Sequence, residues 1–323
     1  MNIKSPSTSQ VKKICSKFIK GDIVVKRRDR EGGDSIVFDV YTNSKEYIFR
    51  VNGVRQNYDV EHAVLQLARQ NGVKVPVVIA ENANLDKFPF TFSLQERLSG
   101  VELEHLTLKV WPKIFGEAGQ ELFKLYKIKV KGFGAIDASH YRKTGEITGS
   151  SLSWKNTIQA LCVDRFNEIA QKIEKEKDEN FIYSKLTRGQ KVKLLEIYKN
   201  FDKITSKLNN LEEFTGRPSI LHGDLQRHNF IVENNHLTGI IDFNNVIIGD
   251  PLFDIAISSV MPHGEFYKHL LKTSKVKMDN DRFTLYRLII ATRKIHTRYV
   301  RFDYLHQYPE ILDIVLEEVK KLS

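Results

Sequence analysis

Acidic and amide side chains are concentrated in two apolar segments, and this pattern constrains the chain more than any other feature. The first segment, residues 221–230, reads LHGDLQRHNF, and the second, residues 239–256, reads GIIDFNNVIIGDPLFDIA. Burying an unpaired carboxylate is costly. We therefore expect these acids either to be paired or to hold a charged ligand.

The bulk composition predicts a folded protein with two lobes. A length of 323 residues exceeds what one hydrophobic core usually supports, and the hydrophobic and charged fractions, 41% and 28%, are ordinary for a globular protein. The net charge of +10 would attract phosphate-bearing ligands or nucleic acid. A lysine-rich, solvated surface explains the charge more simply, because no nucleic-acid recognition motif occurs, so a nucleic-acid partner is not predicted.

The compartment is predicted to be the cytoplasm. Cys15 and Cys162 lie far apart and form neither a metal-ligand pattern nor a disulfide framework. The first residues lack the apolar core of a signal peptide, and no uncharged apolar run of about 18 residues occurs, so no membrane partner is expected. The oligomeric state is left open.

The first lobe, residues 1–98, is predicted to contain three strands, one helix and two further strands. The periodicities place the strands at 22–28, 35–42, 46–52, 75–82 and 90–98, and the helix at 58–72. Gly72 suits the end of that helix. This order predicts a small sheet that carries one helix.

The second lobe, residues 99–323, is predicted to be mostly helical. Helical periodicity dominates residues 110–128, much of 153–208, and the tail from about 282 to 322. Residues 131–152 are rich in glycine and serine and predict a long loop. One hairpin is expected within this lobe, with FIVE and TGIID flanking the turn NNH.

Phosphoryl transfer explains the acids of the two segments. The reaction needs hard oxygen ligands for a metal ion and a base for the acceptor hydroxyl. Asn229 precedes the predicted hairpin, and Asp242 ends the strand that returns from it. Because a hairpin places its two ends side by side, these two residues can bind one Mg²⁺ together. Asp224 is left to face the acceptor.

With these residues, the sequence resembles the aminoglycoside phosphotransferase and choline kinase superfamily. The matching motifs are HGDxxxxN, IIDF and GDPLFDIA. The resemblance implies an α+β, bilobal, protein-kinase-like fold with a small N-terminal antiparallel sheet, one helix on it, and a larger, mostly helical C-terminal lobe. It also implies that Asp224 is the catalytic base and that Asn229 and Asp242 bind Mg²⁺. His222 would pack under the catalytic loop, and Asp254 would hydrogen-bond that loop's backbone.

A nucleotide lobe of this type also needs a glycine turn, a cation on the third strand and a glutamate on the helix. Gly32 and Gly33, followed by Ser35, lie between the first two predicted strands, Arg50 is on the third, and Glu61 is on the helix. The arginine stands where relatives carry lysine, and a guanidinium can bridge phosphate oxygens in a bidentate manner.

Two further features concern the nucleotide. Lys45, in the turn before the third strand, is a weaker alternative to the arginine because a turn is solvated. Residues Gln95, Glu96 and Arg97 match the segment that joins the lobes in relatives, where adenine would bond to backbone groups. Because side chains do not select the base there, ATP is the expected donor and GTP stays open.

Structural interpretations compete with functional ones at several positions. Asp250 is expected to cap the helix that follows it, and the role of Asp254 is also taken as structural. Arg227 could stabilise phosphate charge or be an ordinary surface arginine, and His263 is most simply a loop residue. Arg50 and its helical glutamate could also be an ordinary ion pair.

The acceptor is the least constrained part of the prediction. Residues 299–323 contain five acids and three bases, so a terminal helix could present a negative patch to a polycationic antibiotic; an ordinary amphipathic helix explains the same pattern. The predicted function is an ATP- and Mg²⁺-dependent phosphotransferase acting on a hydroxyl of an aminoglycoside or related antibiotic. The alternatives are a kinase of a metabolite such as a sugar, choline or homoserine, a catalytically silent kinase-like binding protein, and a basic nucleic-acid or scaffold protein.

Overall fold

The chain is described here from a computed structural model, which covers residues 6–28, 35–52, 58–85, 88, 90–178, 185–260 and 262–322. Contacts divide it into two compact units. The first comprises Met1–Ile128, Ile136–Ile147 and Arg227–Val246, and the second comprises Lys129–Ala135, Thr148–Gln226 and Ile247–Ser323. A functional boundary after residue 98 stays a prediction.

The helices and strands follow in chain order. Up to residue 128 they are α1 (Thr8–Cys15), β1 (Val24–Arg27), β2 (Ser35–Tyr41), β3 (Glu46–Asn52), α2 (Tyr58–Gln70), β4 (Val78–Asn82), β5 (Thr91–Glu96), β6 (Val101–Glu102) and α3 (Trp111–Tyr126). Next come β7 (Phe133–Ile136), α4 (Ala138–Thr144), β8 (Gly149–Ser151), α5 (Trp154–Ala160), α6 (Val163–Asp178), α7 (Arg188–Lys199), α8 (Phe201–Asn209) and β9 (Ser219–Leu221). The last are β10 (Phe230–Glu233), β11 (His236–Ile240), β12 (Ile247–Gly249), α9 (Pro251–Ser259), α10 (Tyr267–Ser274), α11 (Asn280–Ile295) and α12 (Glu310–Lys321).

The first unit contains a five-stranded antiparallel sheet in the order β1-β2-β3-β5-β4. The five predicted strands and the predicted helix all occur, in the predicted order. The helix ends at Gln70, two residues before Gly72, whose φ of 75° is the left-handed conformation expected of a helix stop.

Alternation along the strands gives this sheet one apolar and one polar face. Phe49 of β3 stacks on Phe92 of β5 with ring centroids 4.9 Å apart, inside a core that excludes solvent. Successive strand residues point to opposite faces. Arg50 and its cross-strand neighbour Ser93 therefore lie on the other face, and both are buried. The alternation turns the one cation of β3 away from the aromatic core.

The hairpin of β10 and β11 belongs to the first unit, where β10 also pairs with β6. Its turn consists of Asn234 and Asn235, which have φ values of 52° and 60°. Asparagine tolerates this conformation better than most residues, and a two-residue turn of this kind matches the twist of the paired strands. The predicted third turn residue, His236, already begins β11.

The second unit combines a four-stranded sheet, in the order β8-β7-β12-β9, with most of the helices. Trp154 at the start of α5 is buried against Phe253 of α9 and Tyr286 of α11 in edge-to-face contacts. Its indole Nε1 donates to the Tyr286 hydroxyl over 2.6 Å. The polar atoms of these large rings are thus satisfied within the core.

The prediction of a plain loop over residues 131–152 is wrong. This segment contains β7, α4 and β8. Asp137 caps α4 by accepting from His140 N over 2.9 Å, and Gly145 ends the helix with a φ of 76°. A Cβ on Gly149 would lie 2.4 Å from the Phe133 backbone, so glycine permits β7 and β8 to approach closely. The glycines that suggested a loop instead lie at the ends of short strands and helices.

The predicted helical tail is confirmed, with one irregularity. α11 passes directly into a π-helical segment, His296–Arg301, and α12 follows after a short turn. α12 is amphipathic: Ile311, Val315 and Val319 are buried along one side. Within the described ranges, no helix is long and apolar enough to cross a lipid bilayer.

Candidate active site

An ion pair joins β3 to α2 in the first unit. Nη1 of Arg50 lies 2.9 Å from Oε1 of Glu61, and both side chains are buried. Burial opposes the charge of the arginine, but Glu61, Tyr58 and Asp242 together outweigh burial, so the pKa of Arg50 is raised. Burial raises the pKa of Glu61, and Arg50 offsets part of that rise. The predicted pair is present, and the arginine stays cationic.

The same guanidinium reaches a second carboxylate. Nη2 of Arg50 lies 3.4 Å from Oδ1 of Asp242, whose side chain is 39% exposed. Asp242 does not end β11 as predicted. It lies two residues beyond it, in the left-handed conformation with φ 67° and ψ 62°. This conformation costs roughly 1–3 kcal/mol for a residue other than glycine, and such strain often accompanies functional sites.

Asn229 is held close to this turn. Its carbonyl oxygen accepts from Ile241 N over 2.9 Å, which ties the start of β10 to the residue before Asp242. The Asn229 side chain is buried. On the other side of the hairpin, the Asn244 side chain donates to Oδ1 of Asp242 over 2.7 Å. A carboxylate and an amide from opposite ends of one hairpin are oxygen donors of the type that Mg²⁺ prefers. The donor set fits the predicted metal ion.

Asp224 lies in the second unit, on the loop after β9. The preceding backbone is clamped by Asp254 of α9, whose carboxylate accepts from His222 N over 2.7 Å and from Gly223 N over 2.9 Å. His222 is fully buried, and its Nδ1 accepts from Asp224 N over 3.3 Å. Gln226 also donates to the Asp224 carboxylate. The loop contacts that the resemblance implied for Asp254 and His222 are therefore present.

These motifs agree with a comparison against protein families. The model of the phosphotransferase enzyme family, APH, matches residues 27–272. The chain belongs to the phosphotransferase enzyme family. The resemblance inferred from the two polar segments is confirmed, and so is the enzyme class, a small-molecule kinase. No curated protein sequence matches the chain.

Solved structures of aminoglycoside phosphotransferases share the fold. A thermostable mutant of APH(4)-Ia, in a ternary complex with AMP-PNP and hygromycin B, is 17% identical, with 96% of this chain and 99% of that chain covered and a TM-score of 0.69. ADP-bound APH(2'')-Ib is 19% identical, with 97% and 96% covered and a TM-score of 0.53. The complex of APH(2'')-IIa with gentamicin is 19% identical, with 98% and 97% covered and a TM-score of 0.52. The predicted kinase-like α+β fold is thus confirmed.

The predicted glycine turn of this phosphotransferase lies largely outside the described residues. Gly32 and Gly33 lie outside the described residues, and of Ser35 only the backbone is described, paired with Asn52 at the start of β2. Lys45 is exposed and contacts Glu96 across the sheet edge. That position is solvated as expected, which leaves Arg50 as the buried cation among the described residues of this sheet.

The predicted adenine-binding residues are engaged in the sheet. Glu96 N donates to Val77 O over 2.8 Å, and Arg97 N donates to Glu46 O over 3.0 Å. The Gln95 side chain is buried and donates to Ser93 over 3.0 Å. The N–H groups of Glu96 and Arg97 are thus occupied, and a base would need carbonyl oxygens here or N–H groups elsewhere in the chain. Sequence reasoning did not anticipate this competition.

Asp250 has the predicted structural role. It caps α9 by accepting from Leu252 N over 3.0 Å, and it also accepts from Tyr286 over 2.9 Å and from Arg282 over 3.1 Å. Burial raises its pKa, and these donors offset part of that effect. Nε of Arg227 lies 3.4 Å from Oε2 of Glu104, so this arginine forms an ion pair within the protein. His263 is a loop residue, as expected.

The acids of the C-terminal tail do not form the negative patch that the sequence permitted. Most of them have basic partners within the second unit: Asp303 with Lys172 and Lys185, Asp313 with Lys193, Glu317 with Lys321, and Glu318 with Arg287 and Lys321. Their charge is therefore largely neutralised. The amphipathic-helix interpretation of the tail is the one that the contacts support.

Two basic residues near Asp224 escaped the sequence analysis. Arg293 and Lys294 are adjacent on α11 and half-buried. The negative charge of Asp224 acts to raise the pKa of each of them. Burial lowers the pKa of Lys294 to about 8, against an ordinary value of 10.5. The signal was present in the sequence as two consecutive basic residues in the apolar run LIIATRKI, but periodicity alone does not show what they face.

Proposed function

We propose that the protein is an ATP- and Mg²⁺-dependent phosphotransferase that moves the γ-phosphate of a nucleotide to a hydroxyl group of a small molecule. The observation that carries the proposal is the position of Arg50, 2.9 Å from Glu61 and 3.4 Å from Asp242. A buried cation fixed by one acid and turned toward a second, half-exposed acid suits a phosphate that is bound together with a metal ion.

Asn229 and Asp242 are proposed as the metal ligands. Their oxygen atoms come from the two ends of one hairpin, and the bond from Ile241 N to Asn229 O keeps those ends adjacent. When bound there, Mg²⁺ would neutralise charge that develops on the transferred phosphate. Arg50 would contact the α- and β-phosphates, for which its planar, permanently charged guanidinium is suited.

Asp224 is proposed as the catalytic base. Asp254 holds the loop before it through two backbone hydrogen bonds, which preorganises the carboxylate at little further cost in entropy. The acceptor oxygen forms a bond to the γ-phosphorus while the bond to the β,γ-bridging oxygen breaks. That oxygen leaves with ADP, and the hydroxyl proton passes to Asp224. The step is direct and needs no phosphoenzyme.

The remaining nucleotide contacts follow from the family resemblance. Gly32, Gly33 and Ser35 are proposed to cover the phosphates, and the backbone around Gln95 to Arg97 to contact the base. Because two N–H groups of that segment already donate within the sheet, its carbonyl oxygens are the groups we expect to contact adenine. ATP is the proposed donor, with GTP as the alternative.

Two acceptor classes are proposed. An aminoglycoside or related antibiotic is supported by the fold that the chain shares with enzymes crystallised with hygromycin B and gentamicin. Such an activity would act in the cytoplasm, where the donor nucleotide is made, and would confer resistance. A metabolite alcohol is the second candidate, because the neutralised tail acids offer no polyanionic surface and basic residues neighbour Asp224.

The experiment is an ADP-release assay with the full chain, ATP and Mg²⁺ across aminoglycosides, sugars, choline, amino alcohols and hydroxy acids. We expect release that depends on both Mg²⁺ and one acceptor class, with a product heavier by one phosphoryl group in mass spectrometry. The matched control is Asp224→Asn, which should bind ATP without turnover. Tight ATP binding with no transfer to any acceptor would favour a catalytically silent binding protein instead.

A further inference from the structure

Basic side chains converge on one region of the second unit. Arg165 is on α6, Arg293 and Lys294 are on α11, and Arg298 is on the π-helical segment. Oε2 of Glu168 on α6 lies 2.7 Å from Nε2 of His296, which directly follows α11, so these elements pack together here. The charge of Arg165 acts on Arg293, and the charges of Arg293 and Arg298 act on Lys294, so the four form one electrostatic cluster. We call these four residues the basic cluster.

Few acidic side chains balance the positive charge of the basic cluster. Asp224 is the acid whose charge acts on both Arg293 and Lys294. Within the described part of the chain, Arg165, Arg293 and Lys294 form no ion pair with a carboxylate. Burial and mutual repulsion lower the pKa of Arg293, an effect that a bound anion would reverse. Arg165 donates to the carbonyl oxygen of Leu161, a neutral acceptor. Half-buried cations that lack a carboxylate partner are costly unless something else balances their charge.

Arg298 adds an unsatisfied donor. Its guanidinium stacks over the Tyr308 ring at 4.3 Å, which restrains the side chain, yet its Nε is buried without a hydrogen-bond acceptor in the described structure. The residue belongs to the π-helical segment that continues α11. Such segments are rare and frequently mark functional sites, because they change the direction in which side chains of one helix point.

A cavity of the second unit has one member of the basic cluster, Arg165, in its wall. It measures about 650 Å³, within the range of small-molecule sites, and Asn156, Asp164, Arg165, Glu168 and His296 contribute to its wall. Glu168 is already engaged, since its Oε2 lies 2.7 Å from Nε2 of His296. Arg165 faces the cavity and also acts on Arg293, which in turn senses Asp224. The cavity wall therefore shares Arg165 with the basic cluster, and it shares His296 with the segment that continues α11, the helix of Arg293 and Lys294.

We propose that Arg165, Arg293 and Lys294 bind a carboxylate or phosphate group carried by the acceptor alcohol, whose body occupies the adjoining cavity. This inference rests on the proposed function, because it concerns the acceptor of that reaction. Asp164, on the same wall, would meet an amine or hydroxyl of the same molecule. The acceptor class is thus a small hydroxylated acid or phosphate ester, and a polycation without an anionic group would be a poor substrate.

Anion binding can be tested without knowledge of the acceptor. Thermal unfolding of the full chain is followed with inorganic phosphate, 4-hydroxybutyrate or homoserine, and with the amide of each acid, at constant ionic strength. We expect the anions to raise the melting temperature and the amides to have no effect. Lys294→Met should weaken anion binding by about 10- to 100-fold, the effect of losing one charge-assisted hydrogen bond. Lys199→Met, at an exposed helical lysine, is the control.

The variant itself separates a binding role from a structural one. If Lys294 serves the ligand, Lys294→Met removes a partly buried charge and should raise the melting temperature of the free protein while anion binding falls. Arg165→Gln, on the cavity wall, provides a second variant with the same expected loss. Equal stabilisation of the wild type and both variants by the anions would overturn the proposal, as would the absence of stabilisation by any anion of the panel.

Steady-state kinetics can show whether the basic cluster binds an anionic group of the acceptor or the γ-phosphate that is being transferred. We expect Lys294→Met to raise KM for an acidic acceptor by about 10- to 100-fold and to leave KM for ATP unchanged. A fall in kcat alone, irrespective of acceptor charge, would assign the cluster to the transferred phosphate and overturn the proposal. Efficient transfer to a neutral or polycationic alcohol, unaffected by the variant, would overturn this inference and leave the proposed function intact. Anion binding without transfer to any alcohol would confirm the anion site but overturn the proposed function, and with it the assignment of the anion to an acceptor.

Discussion

Nη1 of Arg50 lies 2.9 Å from Oε1 of Glu61, and the pair joins the central strand β3 to the helix α2. Neither charge is exposed to solvent enough to be hydrated, so each depends on the other. Removing one partner of such a pair leaves an uncompensated buried charge, whereas replacing both by apolar residues is often tolerated. This asymmetry allows structural and nucleotide-binding roles to be separated.

Arg50→Met is expected to lower the free energy of unfolding by about 3–5 kcal/mol, because it leaves Glu61 buried and unpaired. Arg50→Met combined with Glu61→Met should recover most of that stability. Both variants should lose affinity for MgATP, since the proposed phosphate contact is absent in each. Urea unfolding measures the stability and calorimetric titration the affinity. Unchanged MgATP affinity in the stable double variant would mean that the pair is only structural.

Asp224→Asn is expected to reduce kcat by about 100- to 10,000-fold, because an amide cannot accept the hydroxyl proton. The affinity for ATP should stay unchanged, since Arg50 and the proposed metal ligands are untouched. Single-turnover kinetics with the identified acceptor, together with ATP titration, provide the measurement. Asp202→Asn, at an exposed acid of α8, is the matched control. Turnover near the wild-type rate would reject Asp224 as the base.

Asp242→Ala is expected to abolish the Mg²⁺ dependence of nucleotide binding, because it removes the proposed carboxylate ligand. ATP titrations with and without Mg²⁺ should differ in the wild type and coincide in the variant. Chelation by EDTA should likewise stop turnover of the wild type, and added Mg²⁺ should restore it. A variant that still binds ATP more tightly in the presence of Mg²⁺ would place the metal elsewhere.

Asp254→Ala is expected to destabilise the protein by about 2–5 kcal/mol, because the backbone N–H groups of His222 and Gly223 lose their acceptors. Asp254→Asn, which keeps one acceptor oxygen, should lose less. The order of the two variants in urea unfolding is the decisive result. If both variants unfold at the wild-type urea concentration, the clamp contributes nothing measurable.

Lys294 is expected to make stability depend on pH in the alkaline range. Its folded pKa of about 8 lies below the ordinary value of 10.5, so between these values the unfolded chain holds a proton that the folded chain has lost. Stability therefore rises with pH in that window. Asp224, Arg293 and Arg298 are the charged groups that act on it.

Lys294→Met should lack this rise. Below pH 8 the variant should be more stable than the wild type by an amount that does not change with pH, and the difference should shrink by about 3 kcal/mol as the pH approaches 10.5. Urea unfolding of both proteins across that range measures the difference. A difference that is the same at neutral pH and near pH 10.5 would show that the lysine is freely hydrated.

Much of the first unit could be predicted from the chain alone. The periodicities placed Arg50 on the third strand and Glu61 on the helix, and the resemblance to a kinase-like nucleotide lobe implied that the two residues pair. The prediction was wrong at residues 131–152, because glycines that allow close packing, such as Gly149 beside Phe133, resemble glycines of a loop. The end of β11 was also predicted two residues too late, at Asp242. The left-handed turn after β11 has no sequence signature beyond an acidic residue that tolerates it.

The sequence by itself determined the enzyme family, the order of the five strands and of α2 in the first lobe, and the identity of the candidate base and metal ligands. These depend on short-range periodicity and on motifs along the chain. Only the tertiary structure decided which charges are neutralised. The tail acid Glu318 pairs with Arg287 from another helix. Lys294, by contrast, is acted on by the charge of Asp224, seventy residues earlier in the chain, and has no ion-pair partner in the described part of the chain. Electrostatic energy depends on distance and burial, and neither can be read from positions along a chain.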